Sequence, residues 1–337
     1  MCAAWRFPPG LGCGKRPPGH VGGETVSKTL VNSTKKQGVL MSGFLSSSTA
    51  LTICKAKSSA SLDLDGLRKH AFNPDINADD KRFGWVALGD PLDTDGFELA
   101  LVDARFMGFS FRLDTRKAPG AVIRLQLAEA VREEIASGKK VGAKRKKELK
   151  EAITAKLTAR AEFVPSVIDC LWDAEKRRLL VGSASAKAVQ HVLELFKTTF
   201  GMDATPITPA GDMPKLFATI LRGDGYPCEG YTLHPMGSAS LAASQQAEEK
   251  ASVAVQNSLN AVAQALEDGM AIQKLHLVAT SDADTDRQVE FTLDAGLAVS
   301  GLKLPKAEKG ADEEATFLVN ADVCAAVADM VEGVATA

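Results

Sequence analysis

PGAVIRLQLAEAVREEIASGKKVGAKRKKELKEAITAKLTAR, residues 119–160, decides how the chain is read. Pro119 suits the first turn of a helix, and Ile123, Leu127, Val131 and Ile135 recur at every fourth position. That spacing puts them on one stripe of a helix over about 120–136. Gly138 breaks it. Leu149, Ile153 and Leu157 form the stripe of a second helix over about 143–160. Two helices parted by a Gly-containing turn make a helical hairpin, an element that stands out from a sheet with its turn at the exposed end. From 139 to 160 the chain holds nine bases: Lys139, Lys140, Lys144, Arg145, Lys146, Lys147, Lys150, Lys156 and Arg160. Glu148 and Glu151 are the only acids there, so the local balance is +7 in a chain whose net charge is −2. Such a concentration of charge points to a polyanionic partner, nucleic acid first. A solvated lysine-rich helix face is the plainer alternative. Phe163, just past the basic helix and before Val164-Pro165, is either an exposed interface anchor or a satellite core residue.

The composition of the rest sets bounds. At 337 residues the chain can form one large domain or two to three small ones, and its 45% hydrophobic content permits a sizeable core. Aromatics are only 6%, so aliphatic packing must dominate. The near-neutral total excludes a uniformly basic coat; a nucleic-acid site has to be local. No apolar run reaches the ~18 residues of a membrane span. Six cysteines are scattered without a CxxC, which suits reduced cytosolic thiols better than a disulfide framework. Five isolated histidines offer no metal-ligand spacing.

Residues 1–40 hold one acid, Glu24, against six bases and are rich in Gly, Pro, Ser and Thr, so the first 43 residues read as disordered or as an extension ahead of a start at Met41. GLGCGK at 10–15 lacks the spacing of a phosphate loop. Order is expected from Phe44, in parts at 44–118, 119–165 (the hairpin), 166–240 and 241–337. Strands are expected at 50–56, 83–88, 97–102 and 105–113, with a hairpin turn at Asp103-Ala104, then at 167–172, 178–182, 272–279, 288–293 and 298–304. Helices are expected at 62–71, capped by Ser61 or Asp63, at 186–200, capped by Ser185, and at 321–331. Residues 201–250 read as loop-rich around five prolines, with a short helix at 215–221 and a polar linker at 240–250, and 253–266 as partly helical. Strands and helices do not alternate regularly, so the class is α+β with antiparallel or mixed sheets.

Candidate chemistry is sparse. Asp282, Asp284 and Asp286 begin like a calcium loop, but Arg287 stands where Gly is needed and Leu293 where Glu is needed, which leaves a solvated turn. Asp90, Asp93 and Asp95 read as a turn cluster. Trp85 and Trp172 read as core. No HExxH, GxSxG or paired Cys/His pattern nominates a nucleophile, a general base or a metal, so no catalytic residue and no cofactor is expected.

A collinear series then resembles one family. FGWV at 83–86, the Pro119 helix, the basic hairpin ending Lys156 to Ala161, Trp172-Asp173 and Ser183–Lys187 are followed by Glu267-Asp268-Gly269, Lys274-Leu275, Phe291, Asp294-x-Gly296, Leu302-Lys303 and Val327 to Gly333. Over about residues 44–334 this order is similar to the recombination-associated RdgC family. The resemblance implies a curved α+β subunit that forms a ring-shaped homodimer around double-stranded DNA without sequence preference. It implies a non-catalytic, cytoplasmic, nucleoid-associated protein that restrains RecA-driven recombination, reaching RecA indirectly through shared DNA. By that resemblance Lys139, Lys140, Lys144, Arg145, Lys146, Lys147 and Lys150 contact DNA, while Arg160 and Phe163 lie at the dimer interface. The family's aromatic directly after Arg-Ala is here Glu162, with Phe163 one place later. Its Lys/Gln-rich stretch corresponds to Val255–Leu259, which has no lysine. The alternative is a module that meets an acidic recombination or replication partner through the hairpin.

Overall fold

A computed structural model describes residues 43–337 except 58–61, 76–80, 101–103, 243–249, 255–261, 263–265, 307–311 and 337. The expectations placed on residues 1–42, on Asp103 and on Val255–Leu259 lie outside the described residues. The fold is α+β, with an antiparallel open sheet that runs as two wings joined by one strand, β1 (Ser48–Ala56). The first half of β1 pairs with β12 (Val299–Lys303), and Thr52 to Lys55 pair with β5 (Arg178–Val181). Beyond β5 lie β4 (Phe163–Asp173), β3 (Phe106–Arg116) and the edge strand β2 (Lys81–Val86). Beyond β12 lie β11 (Gln288–Asp294), β10 (Ala271–Ser281) and β8 (Tyr231–Ala242). The short strands β7 (Tyr226–Cys228) and β9 (Lys250–Ala254) flank β8, and β6 (Ala204–Pro206) pairs with β1.

Successive side chains of a strand point to opposite faces, and both faces of the first wing are buried. One face packs Trp85, Phe109, Phe111 and Trp172 against Val189 and Phe196 of α4 (Ala186–Phe200), with Leu67 of α1 (Leu64–Lys69) beside them. The other face packs Leu51, Leu171 and Leu180 into a core that also holds Leu275, Leu277 and Phe291 of the second wing. The closing helix α6 (Glu313–Ala335) belongs to that shared core and is buried nearly all round, from Phe317 to Ala335. It approaches β3 at Gly108, where any Cβ would come within 2.6 Å of the Phe317 ring. α5 (Met213–Arg222) buries Met213, Phe217 and Ile220 in the same core.

The wings and α6 are also tied by polar groups. Arg178, fully buried, donates to Asp173 Oδ2 at 3.0 Å, Asp329 Oδ1 at 2.7 Å, Glu332 Oε1 at 3.1 Å and the Ala325 carbonyl at 3.1 Å. Asn320 of α6 donates to the Phe44 carbonyl at 2.7 Å. Asp169, also buried, accepts from the Phe44 N–H and from Ser110, each at 2.8 Å. Among the described residues no helix is long and apolar enough to cross a membrane.

Several local expectations are corrected. Glu98–Ala100 is a 3₁₀ turn, not part of a hairpin with 105–113; β3 pairs instead with β2 and β4. The loop-rich reading of 201–250 misses β8, a strand of 12 residues. Pro235 hides it, since proline cannot donate to a ladder. The register breaks beside it: Leu275 faces Ala239 and Leu277 faces Pro235, so the intervening residues bulge, with Gly237 at φ +70. The linker at 240–250 ends in strand at both sides; of the partly helical 253–266, residues 253–254 are strand while 262 and 266 are helical. Ser185 occupies the N-cap of α4 without a side-chain cap bond, whereas Asp63 caps α1 by accepting from the Gly66 N–H at 2.7 Å.

Between β3 and β4 the chain forms α2 (Gly120–Ala136) and α3 (Ala143–Arg160), with the bounds the periodicity predicts. Arg116 and Phe163 are the last paired rung of the β3–β4 ladder, so the two helices replace what would otherwise be a strand turn. Neither has a buried residue.

Candidate nucleic-acid interface

Ile123, Leu127 and Val131 of α2 and Leu149, Ile153 and Leu157 of α3 are half-buried, as a two-helix seam requires. Ile135 departs from its stripe and is 60% exposed, and Leu125 is 72% exposed. A seam so thin adds little hydrophobic stability, and the helix pair is held in part by charge. Arg145 clasps Glu134 across the turn, Nη2 to Oε1 at 2.7 Å and Nε to Oε1 at 3.1 Å, and also donates to Glu148 at 3.0 Å. The Arg145 hydrogen bonds hold the Glu134 carboxyl below the usual carboxylate range.

The predicted site residues therefore separate. Lys139 and Lys140 are exposed in the turn, and Lys144, Lys146 and Lys150 are exposed on α3. Among the described residues none of these five has a carboxylate at ion-pair distance. Lys147 is exposed and 3.9 Å from Glu151. Arg145 has its guanidinium taken up by two glutamates. Arg160 is exposed at the end of α3. Phe163 is half-buried, with the guanidinium carbon of Arg82 4.2 Å and that of Arg116 4.4 Å from its ring centre.

Those arginines are what sequence reasoning missed. On β3, Arg112, Asp114 and Arg116 alternate onto the face opposite Phe109, Phe111 and Leu113. Asp114, 1% exposed, is shared by Arg112 at 2.8 Å and Arg82 at 3.2 Å. Phe72 carries Arg112 at 4.1 Å. Alternation of charged and apolar residues along 111–116 was the available signal, but the partners Arg82 and Phe163 come from other strands.

The acidic candidates resolve as turns. Asp93 Oδ1 accepts from the Asp95 and Gly96 N–H groups at 3.0 and 2.8 Å, and Asp284 accepts from the Asp286 N–H at 3.1 Å. Among the described residues no three His, Cys, Asp or Glu side chains are grouped to hold a metal ion. Trp85 is fully buried and donates to Thr199 at 2.8 Å; Trp172 is 4% exposed.

The family model described as "RdgC: Putative exonuclease, RdgC" matches residues 52–330, most of the chain. The chain belongs to the RdgC family. Both wings, the helix pair and the root arginines all fall inside the RdgC match. The search of curated proteins returned no match.

Proposed function

We propose that the chain is a non-catalytic, sequence-nonspecific double-stranded DNA binder that acts as a ring-shaped homodimer and modulates RecA-dependent recombination. The observation that carries this reading is the cluster of exposed lysines around the α2–α3 turn, five of them without a carboxylate at ion-pair distance among the described residues, on an element with no buried residue. The helix pair connects β3 and β4 beyond the last rung of their ladder, which leaves its lysines open to a phosphate surface. Phosphate contacts made by lysine carry no sequence information, which matches a binder indifferent to sequence. Membership of the RdgC family supports the recombination context. The ring and the dimer rest on the resemblance, with Arg160 and Phe163 as proposed interface residues. Phe163 enters that role with its ring already flanked by Arg82 and Arg116, so it would meet a partner as part of a rigid cationic platform.

Fluorescence anisotropy on a labelled duplex across a salt series tests the binding. The log–log slope should be several units, at about 0.9 per neutralised phosphate. Changing Lys144, Arg145, Lys146 and Lys147 together to Ala should flatten it by about three units, because Arg145 is committed to Glu134 and three exposed lysines are lost. Undiminished affinity in that variant would sink the tip as the DNA contact and favour an acidic protein partner. Release of label from an end-labelled duplex with Mg²⁺, at a rate proportional to protein, would overturn the non-catalytic reading and uphold the exonuclease of the family description. Sedimentation as a monomer at micromolar concentration would end the ring.

A further inference from the structure

We propose that Arg116 is a second phosphate contact, at the root of the helix pair, and that the duplex backbone follows the α3 face between Arg116 and the tip lysines. This rests on the duplex-DNA reading above and extends it to a residue outside the basic stretch.

The root arginines differ in how their donors are used. Arg82 gives Nε and Nη2 to Asp114 and Nη1 to the Pro74 carbonyl. Arg112 gives Nε and Nη2 to Asp114 at 2.8 and 2.9 Å and Nη1 to the Pro91 carbonyl at 3.0 Å. Both guanidiniums are satisfied, and one buried carboxylate is shared between two cations. Arg116 has no carboxylate among the described residues. Its Nη1 donates to the Ala159 carbonyl at 3.3 Å, and its Nε is buried with no acceptor among the described residues. A guanidinium offers five N–H donors, so most of this one's capacity is unspent.

Arg116 is also aimed. Its guanidinium carbon lies 4.4 Å from the Phe163 ring centre, and it donates to Ala159, a residue that lines one end of a groove of about 600 Å³ on α3. Lys147, Lys150 and Glu151 line the other end, Glu151 facing Lys147 at 3.9 Å, and Thr154, Ala155 and Thr158 lie between. These short side chains would let a sugar–phosphate backbone lie close to the helix. Thr154 turns its hydroxyl to the Lys150 carbonyl at 2.7 Å and so does not obstruct. From residue 147 to 159 the helix rises about 18 Å. That length of duplex axis carries about ten phosphate charges, enough for tip and root to engage different phosphates.

The competing structural account is that Arg116 merely caps the last carbonyls of α3, as basic side chains do. The two accounts predict different readouts. Arg116→Gln keeps a donor for Ala159 and removes the charge. If Arg116 meets phosphate, the salt slope of duplex binding should drop by about 0.9 with the melting temperature little changed. If it is only a cap, a role that Gln can keep, the slope should match wild type; that result overturns the inference and leaves the DNA reading intact, provided the tip variant loses slope. Absence of salt-dependent duplex binding by the wild-type chain would remove both. A probe that needs no variant guards against misfolding: a short duplex should protect Arg116 from phenylglyoxal modification in the full chain, and unchanged modification overturns the proposal.

Discussion

Arg178 in the body and Arg145 at the tip of the helix pair bind carboxylates at nearly the same distances, 2.7 Å at the closest in each case. Their surroundings separate them. The Arg178 side chain is 0% exposed and that of Asp173 likewise, while the Arg145 side chain is 48% exposed. In the body the low dielectric makes each lost partner costly, and the four acceptors of Arg178 fasten β4, β5 and α6 together. Burial pushes the Asp173 carboxyl up, but the Arg105 hydrogen bond, the Lys176 N–H and the Arg178 charge outweigh it and leave it below the usual range. At the tip, solvent screens the Arg145–Glu134 pair, so it can orient the turn without contributing much to stability. The same chemistry serves as a structural lock in one place and as an adjustable tether beside free lysines in the other.

Breaking the lock should have the largest effect. Arg178→Met leaves Asp173, Asp329 and Glu332 without their shared cation and should cost about 3–5 kcal/mol in urea unfolding. A loss below about 1 kcal/mol would mean the body is not held by this network.

Asp169 comes next. Burial raises its pKa from the ordinary 3.8 to about 6, against the bonds from Ser110 and Phe44, which lower it. The folded state then keeps its proton where the unfolded chain has lost it, so this group's contribution to stability falls as pH rises from about 4 to about 6 and stays low above that. A shift of about two units corresponds to about 3 kcal/mol. The difference in unfolding free energy between wild type and Asp169→Asn should therefore change by that order across pH 4–7, a comparison that cancels other carboxylates. A flat difference would show that Asp169 ionises freely in the fold.

At the tip, the fourfold Ala variant described above should leave the urea midpoint unmoved while weakening DNA binding; a large destabilisation would erase the contrast between the two regions. Glu134→Gln should have the smallest effect. It leaves Arg145 held by Glu148 alone and removes a negative charge, so duplex affinity should rise and the salt slope steepen by at most about 0.9, with the midpoint unchanged. A fall in affinity would show that the clasp, rather than the charge, is what the tip needs.

The helix pair was legible because a stripe at every fourth residue and a Gly-bearing turn are local signals, and α2 and α3 begin and end where those signals place them. Ile135 fits the period but not the seam: it lies in the last turn of α2, beside the interhelix turn, and is exposed. β8 was illegible because Pro235 and Gly237 carry the signature of a loop, and only pairing with β10 on one side and β7 and β9 on the other makes it a strand. The tip lysines could be read from charge alone. The root could not: Arg82, Arg116 and Phe163 sit on three different strands, 81 residues apart from first to last, and their stacking exists only in the sheet.

The sequence by itself determined the α+β class, the helix pair, its excess of positive charge and the family to which the chain belongs, since each follows from residue order and local periodicity. Tertiary structure alone decided which of those charges are free. Arg145 is spent on Glu134, Arg82 and Arg112 on Asp114, and Arg116 is left with one carbonyl. Whether a cation is available to a partner depends on which carboxylates the fold brings within hydrogen-bond reach, from the same strand, the neighbouring helix or another strand alike.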